Sequence, residues 1–271
     1  LSYWISEHDR GQAHAINKGF AVSTGNLIAW INSDDLLLSD ALRKAAIAHH
    51  EQPAAIVLGD VSHFLDGDPH GWVVRQRDVT IENLLAPWQK GCVWQQPGTY
   101  VPREEWQRAG PLDEELHYAF DLDWICRVLL TGVPIVHVNG AVAAFRLHCG
   151  SKTMAKAARW GREELAIAER YAPAVLPALG VRELRASHEL KETLLHLSVF
   201  HIDLWDVAAA SRHAQAAVTM WPRVLLKWEF WRVCLRMLCP SAMVRLARPR
   251  WLRHRFGTDL PTASPWTGAN G

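Results

Sequence analysis

The sequence predicts an α/β fold, a mostly parallel sheet with helices on its faces. Three observations carry that prediction. Short apolar runs bounded by Gly and polar residues, such as 27–31 and 55–58, read as strands buried on both faces. Helix-spaced segments alternate with these runs through residue 145, the pattern of strands joined by crossover helices. From Met154 onward the strand signals stop and only helical periodicity remains.

Taken in order, residues 12–23 are expected to be helical, with Ile16 and Phe20 four apart and Gly25 just beyond as a stop signal. The run 27–31 is the first strand, and it stops at Asn32-Ser33-Asp34-Asp35. Ser39 or Asp40 is placed to cap a helix running to about Glu51, closed by Pro53. Residues 55–58 form a second buried strand ending at Gly59-Asp60, and 61–65 and 72–76 flank a hairpin turn at Asp66-Gly67-Asp68. A short helix over 80–86, a strand over 98–102 and a helix over 103–109 follow. Leu122, Ile125 and Leu129 give 120–130 helical spacing, and 134–138 and 142–145 are short strands. Residues 156–170, 183–218 and 223–238 read as helices punctuated by Pro173, Pro177, Pro222 and Pro240. The tail from Gly257, rich in Gly, Pro, Thr and Asn, is expected to be loose.

The sharpest feature is the stretch GNLIAWINSDD at 25–35, where an apolar run ends on adjacent carboxylates, Asp34 and Asp35. In open α/β sheets ligands bind at the carboxyl ends of the strands. Two acids there can hold a hard divalent cation, which neutralises a diphosphate. An ordinary acidic turn of Asn, Ser and Asp explains the same residues equally well.

Further blocks accompany it: SEHDRGQAHAINKGF at 6–20, LGD at 58–60, QQPGT at 95–99, LHYAFDLDW at 116–124 and FRLHCGSKT at 145–153. In this order and spacing they resemble the glycosyltransferases of family 2, over roughly residues 3–153. The resemblance implies a GT-A fold, a nucleotide-sugar donor, and transfer of the sugar with inversion to a hydroxyl of a glycan or lipid-linked acceptor. Cell-envelope polysaccharide or glycan assembly is the implied setting. Members of this family open with a strand–turn–helix unit carrying a base-reading Asp and a second strand, and this chain begins after both. It therefore reads as N-terminally truncated, a GT-A domain lacking its first strands.

The resemblance also assigns roles. Asp34, with Asp35 in support, takes the metal position, for Mn²⁺ or Mg²⁺. Asn32 stands where the family pattern has the first Asp of Asp-x-Asp, which leaves one charge fewer. His148 matches a histidine near the diphosphate that can complete the metal shell. Asp121 matches the acidic motif that supplies the base, and Asp123 is open to either a catalytic or a supporting role. A helix N-terminus favours the ionised carboxylate, so this base is expected to be unprotonated at neutral pH; a plain helix cap is the alternative. Asp9, Arg10, Gly11, Gln12, Asn17 and Lys18 are placed along the nucleotide, with Gly11 allowing close backbone approach. Arg146 and Lys152 can pair with phosphate oxygens, and Gln96-Pro97 can shape the acceptor cleft.

Composition bounds the alternatives. The chain has 271 residues, 49% of them hydrophobic, which argues against disorder. Its five cysteines (92, 126, 149, 234, 239) share no CxxC or zinc-like spacing, so reduced thiols in a cytoplasmic setting are expected. A net charge of +1 hides an asymmetry: 222–256 carries nine Lys or Arg against Glu229, or +8, and the remainder carries −7. The stretch from Trp221 interleaves Trp, Leu and Arg, as basic amphipathic helices do at an anionic membrane surface. A helix packed on the catalytic domain with its charges in water is the alternative. The chain is accordingly expected to be cytoplasmic and peripheral at the inner face of the membrane, and no motif supports nucleic-acid binding. The expected organisation is a GT-A domain over 1–153, a basic helical region over 154–256 and a loose tail over 257–271. A different reading is a non-catalytic remnant that binds sugars, a membrane or a partner chain. A metal-dependent phosphoesterase would need more acids and histidines at the strand ends.

Overall fold

A computed structural model describes residues 4–65, 72–85, 92–147, 157–175, 181–197 and 206–238. Among the described residues six strands are formed: β1 (Leu27–Ile28), β2 (Leu36–Leu37), β3 (Ile56–Leu65), β4 (Trp72–Val74), β5 (Thr99–Pro102) and β6 (Ile135–Leu147). In the α/β half, α1 (Gln12–Val22), α2 (Ala41–Glu51), α3 (Ile81–Leu85), α4 (Arg103–Ala109) and α5 (Phe120–Leu130) join them. The C-terminal part adds α6 (Ala157–Val175), α7 (Val181–His196), α8 (Val207–Met220) and α9 (Trp228–Met237).

The sheet runs β1-β5-β3-β6-β2, with β4 added on β3. The α/β class stands, but among the described residues parallel pairing is confined to the central β3–β6 ladder, from Ile56 opposite Ile135 to Leu65 opposite Leu147. The other four ladders are antiparallel. Residues 134–138 and 142–145, expected as two strands, are one continuous β6, whose irregularity faces the register shift at Asp60. Gly59 sits in that shift because β6 comes so close that a Cβ there would lie 2.5 Å from Val142. The expected turn at 66–68 lies outside the described residues.

The first strand departs most from expectation. Only Leu27 and Ile28 pair, with Pro102 and Val101, and Ile31 is exposed. Among the described residues β1 is an edge strand, so its apolar run is covered on fewer sides than a central strand's.

Along β3 alternate side chains serve two cores, as strand geometry requires. Ile56 and Leu58 join a large cluster with α1, α4 and α5, and Val57 joins Ala41, Ala45 and Ala48 of α2 on the other face. At the centre of the first cluster four aromatics interlock. Phe20 lies 4.2 Å from Trp106, which is 5.1 Å from Trp124, and Trp124 stands edge-on to Trp30 at 5.2 Å. Ile167, Ala168, Tyr171 and Ala172 of α6 and Leu184 of α7 belong to this same core. The remaining helices add their own, with Ala186, Leu190, Ala214, Ala217 and Phe230 packed together.

Candidate functional site

A chain of side-chain hydrogen bonds gathers three distant parts of the sequence at the carboxyl end of β1. Gln12 Nε2 donates to Asn32 Oδ1 at 2.8 Å, and Asn32 Nδ2 donates to Asp35 Oδ2 at 3.2 Å. The other carboxylate oxygen of Asp35 accepts the Arg146 backbone N–H at 3.0 Å. The turn is closed by the Asp35 N–H donating to the Asn32 carbonyl at 3.1 Å. Asp35 is buried in this arrangement, whereas Asp34 is half-buried beside it. The geometry accounts for Asn32: an amide can accept from Gln12 and donate to Asp35, which a carboxylate could not do.

The donor set at this turn fits a small divalent cation. Such ions are held by one or two carboxylates together with substrate phosphates and water, and Asp34 and Asp35 supply that pair. Among the described residues no group of three or more His, Cys, Asp or Glu is placed to hold a metal by itself. His148 and Lys152 lie outside the described residues.

The 6–20 block starts α1 through Gly11, whose φ of 147° is a conformation that side-chain-bearing residues rarely adopt. Asp9 pairs with Lys18 at 2.5 Å and His14 at 3.2 Å, and the lysine ammonium holds its carboxyl below the ordinary range. Lys18 also pairs with Glu7, and the two acids raise its pKa. Ile5, Ser6, Glu7, Asp9, Ala15 and Lys18 line a cleft of about 280 Å³. Arg10 reaches Glu114 at 2.6 Å. Asn17 clasps the loop after α4, donating to the Leu112 carbonyl at 3.0 Å and accepting from the Leu112 N–H at 2.9 Å.

Asp121 and Asp123, two residues apart, have opposite surroundings. Asp121 is half-buried in the first turn of α5, with Oδ1 accepting the Leu122 N–H at 2.8 Å. Burial pushes its pKa from an ordinary 3.8 up to about 6, with Glu164 and Glu163 adding negative charge nearby and the backbone N–H groups opposing. Desolvation thus outweighs the helix terminus and raises the pKa, yet at about 6 the carboxylate is still mostly ionised at neutral pH. Asp123 is only 1% exposed and fully engaged. Its Oδ1 accepts from Arg170 and the Tyr171 hydroxyl, both at 2.8 Å, and its Oδ2 from Arg127 at 2.9 Å. Arg127 goes on to the Ala109 carbonyl and, at 2.8 Å, the Pro111 carbonyl. Asp123 is the hub of an internal network, which leaves the open carboxylate to Asp121.

Sequence reasoning missed two residues that shape this region. Glu163 of α6 accepts the N–H groups of His117, Tyr118 and Ala119 at 3.0, 2.7 and 2.8 Å, holding the loop that leads into α5 from more than forty residues away. Gln76 is completely buried, donating to the Gly59 carbonyl at 2.7 Å and accepting from the Gln95 N–H at 2.9 Å. It welds the 58–60 block to the 95–99 block. Gly98 completes that join, since a Cβ there would fall 2.4 Å from the Gly59 carbonyl oxygen. Gln96 then donates to the Trp30 carbonyl at 2.7 Å, tying the QQPGT turn to the run that leads into Asp34. Nearby His63 is buried, which lowers its pKa to about 4 and keeps it neutral.

Comparison with known proteins bears on this arrangement. Residues 2–106 match the model of glycosyl transferase family 2. The structure of S. aureus TarS 1-349 in complex with UDP-GlcNAc is similar with a TM-score of 0.53 and 14% identity, covering 94% of this chain and 74% of that one. A longer S. aureus TarS chain matches at a TM-score of 0.45 and 14% identity, covering 89% of this chain, which spans 39% of its length. No curated protein matches. The family match is confined to residues 2–106, and over the chain as a whole the likeness is one of fold, which is GT-A.

Proposed function

We propose that the protein transfers a sugar from a nucleotide-sugar to a hydroxyl of a glycan or lipid-linked acceptor. The observation that carries this reading is the hydrogen-bonded chain Gln12–Asn32–Asp35–Arg146, which fixes an acidic turn at the carboxyl end of a strand. The family match over 2–106 and the TarS complex with UDP-GlcNAc point to a nucleotide-sugar as the ligand for that turn.

In the proposed reaction Asp121 is the base. A carboxylate with a pKa of about 6 is mostly ionised at neutral pH, yet basic enough to take a proton as the acceptor oxygen attacks. A new bond forms from that oxygen to the anomeric carbon, the bond to the diphosphate breaks, and a single displacement inverts the configuration. Asp34, with Asp35, would hold Mn²⁺ or Mg²⁺, which supplies positive charge to the leaving diphosphate; His148 is the proposed third ligand. Asp9, Gly11, Gln12 and Asn17 would border the nucleotide. Arg10, Lys18 and Arg146 would serve its phosphates, Lys18 by exchanging its present acid partners. Asp123 keeps α5 in place for Asp121. We further propose residues 1–153 as the catalytic part, 154–256 as a helical region and 257–271 as a tail, in a cytoplasmic protein of cell-envelope polysaccharide assembly. Among the described residues no helix is long and apolar enough to cross a membrane.

Calorimetric titration with UDP and other nucleoside diphosphates, with and without Mn²⁺, tests this reading. Metal-dependent binding that disappears in Asp34→Ala, with the far-ultraviolet spectrum unchanged, is the expected result. A folded chain that binds no nucleoside diphosphate, or binds equally well in Asp34→Ala, overturns it.

A further inference from the structure

Helix α9 is apolar on two opposite faces, and only one of them is buried. Phe230 and Val233 turn inward, against Leu190, Ala214 and Ala217 in one case and Leu197 and Ala210 in the other. Trp228, Trp231, Leu235 and Leu238 follow at intervals of three and four, so they form a single outward stripe. They are exposed, Trp228 at 67% and Leu238 at 78%. The short 3₁₀ turn Pro222–Leu226 extends the stripe with Leu225 and with Leu226, 84% exposed. The Trp231 indole N–H donates to the Leu225 carbonyl at 2.8 Å, so turn and helix present one preformed patch. A contiguous apolar patch of this kind marks an interaction surface.

Its borders are basic. Arg223 and Arg232 are exposed, Lys227 sits 5.7 Å over the Trp221 ring, and Arg236 lies on the last turn. This combination of Trp and Leu on one side with Lys and Arg around it suits the interface of an anionic bilayer, where apolar side chains enter the acyl boundary and cations meet the headgroups. A second copy of the chain would bring a like-charged border against this one, which disfavours self-pairing.

We propose that Pro222–Leu238 is a membrane-docking face that seats the protein on an anionic lipid surface through Leu226, Trp228, Trp231, Leu235 and Leu238. The proposal stands on this surface alone and does not depend on the sugar-transfer reading.

Flotation of the full chain with phosphatidylcholine vesicles, with and without phosphatidylglycerol, reads the partition directly. Binding to the phosphatidylglycerol vesicles is expected. Trp228→Ser combined with Leu235→Ser should lower the partition by about a hundredfold or more, since each buried side chain is worth roughly 1.5–3 kcal/mol. Arg223→Gln with Arg232→Gln should lower it about fivefold per residue on anionic vesicles only, at about 1 kcal/mol for each nearby basic residue. Hydrogen exchange on the parent chain supplies a measurement independent of variants: protection by vesicles should centre on 222–238. No partition into either vesicle overturns the proposal, as does protection confined to other segments. A vesicle-free dimer dissolved by Trp228→Ser/Leu235→Ser would reassign the patch to a second copy and overturn it too.

Discussion

At the scale of single residues, two carboxylates of one helical turn are set apart by what surrounds them. Among the described residues Asp121 is desolvated beside acids and Asp123 is desolvated among cations. Asp121→Asn should therefore lower turnover by about 10²–10⁴-fold, the usual worth of a positioned base. In the parent, kcat/KM should fall on the acid side with an apparent pKa of about 6. The same residue has a signature in stability. Its folded-state pKa lies above the ordinary 3.8, so the linked stability is fully present below about 3.8 and is lost as pH rises through about 6. Asp121→Asn should accordingly melt higher than the parent at pH 8 and show no such gain at pH 4, as read by calorimetry. A parent rate independent of pH between 5 and 8 would argue against this base.

At the scale of elements, α5 is held from three directions. Trp124 locks it into the aromatic core, Glu163 holds the loop that leads into it, and Asp123 binds Arg127 within it and Arg170 and Tyr171 on α6. Asp123→Ala would leave the buried Tyr171 hydroxyl and the partly exposed Arg127 and Arg170 without their acceptor, and a loss of about 1–3 kcal/mol in denaturant unfolding is expected. A change under about 1 kcal/mol would mean that the network contributes little. Much of the fold was legible element by element. Ile16 and Phe20 announced α1, Pro53 ended α2, and Leu122, Ile125 and Leu129 announced α5, because helical periodicity is a local signal. Pairing was not legible, since nothing within the run 27–31 states that only its first two residues would find a partner. In the candidate site, the blocks at 6–20, 32–35 and 145–146 were visible, and the structure brings Gln12, Asn32, Asp35 and Arg146 into one chain. Glu163 and Gln76 could not be singled out, as an acceptor for a distant loop and a buried weld have no local pattern.

At the scale of the whole molecule, the helical region is part of the frame of the candidate site. Four residues of α6 sit in the main core beside Trp124, and three N–H groups of the loop before α5 end on one carboxylate of α6. A fragment ending at residue 153, where the strand signals cease, should melt well below the full chain, whereas one ending at 175 should recover most of the difference in a thermal scan. Equal melting of the 153 fragment and the full chain would refute the dependence.

The Glu163 clasp thus bears on how such a protein can be rearranged. A lineage that exchanged its C-terminal helices for others could not treat them as interchangeable cargo. Any replacement would have to bring an acid to the same three amides, or the loop before Asp121 would lose its shape. The seam that looks natural in the primary structure is a poor place for recombination, and grafts between relatives should succeed when the crossover falls after α6.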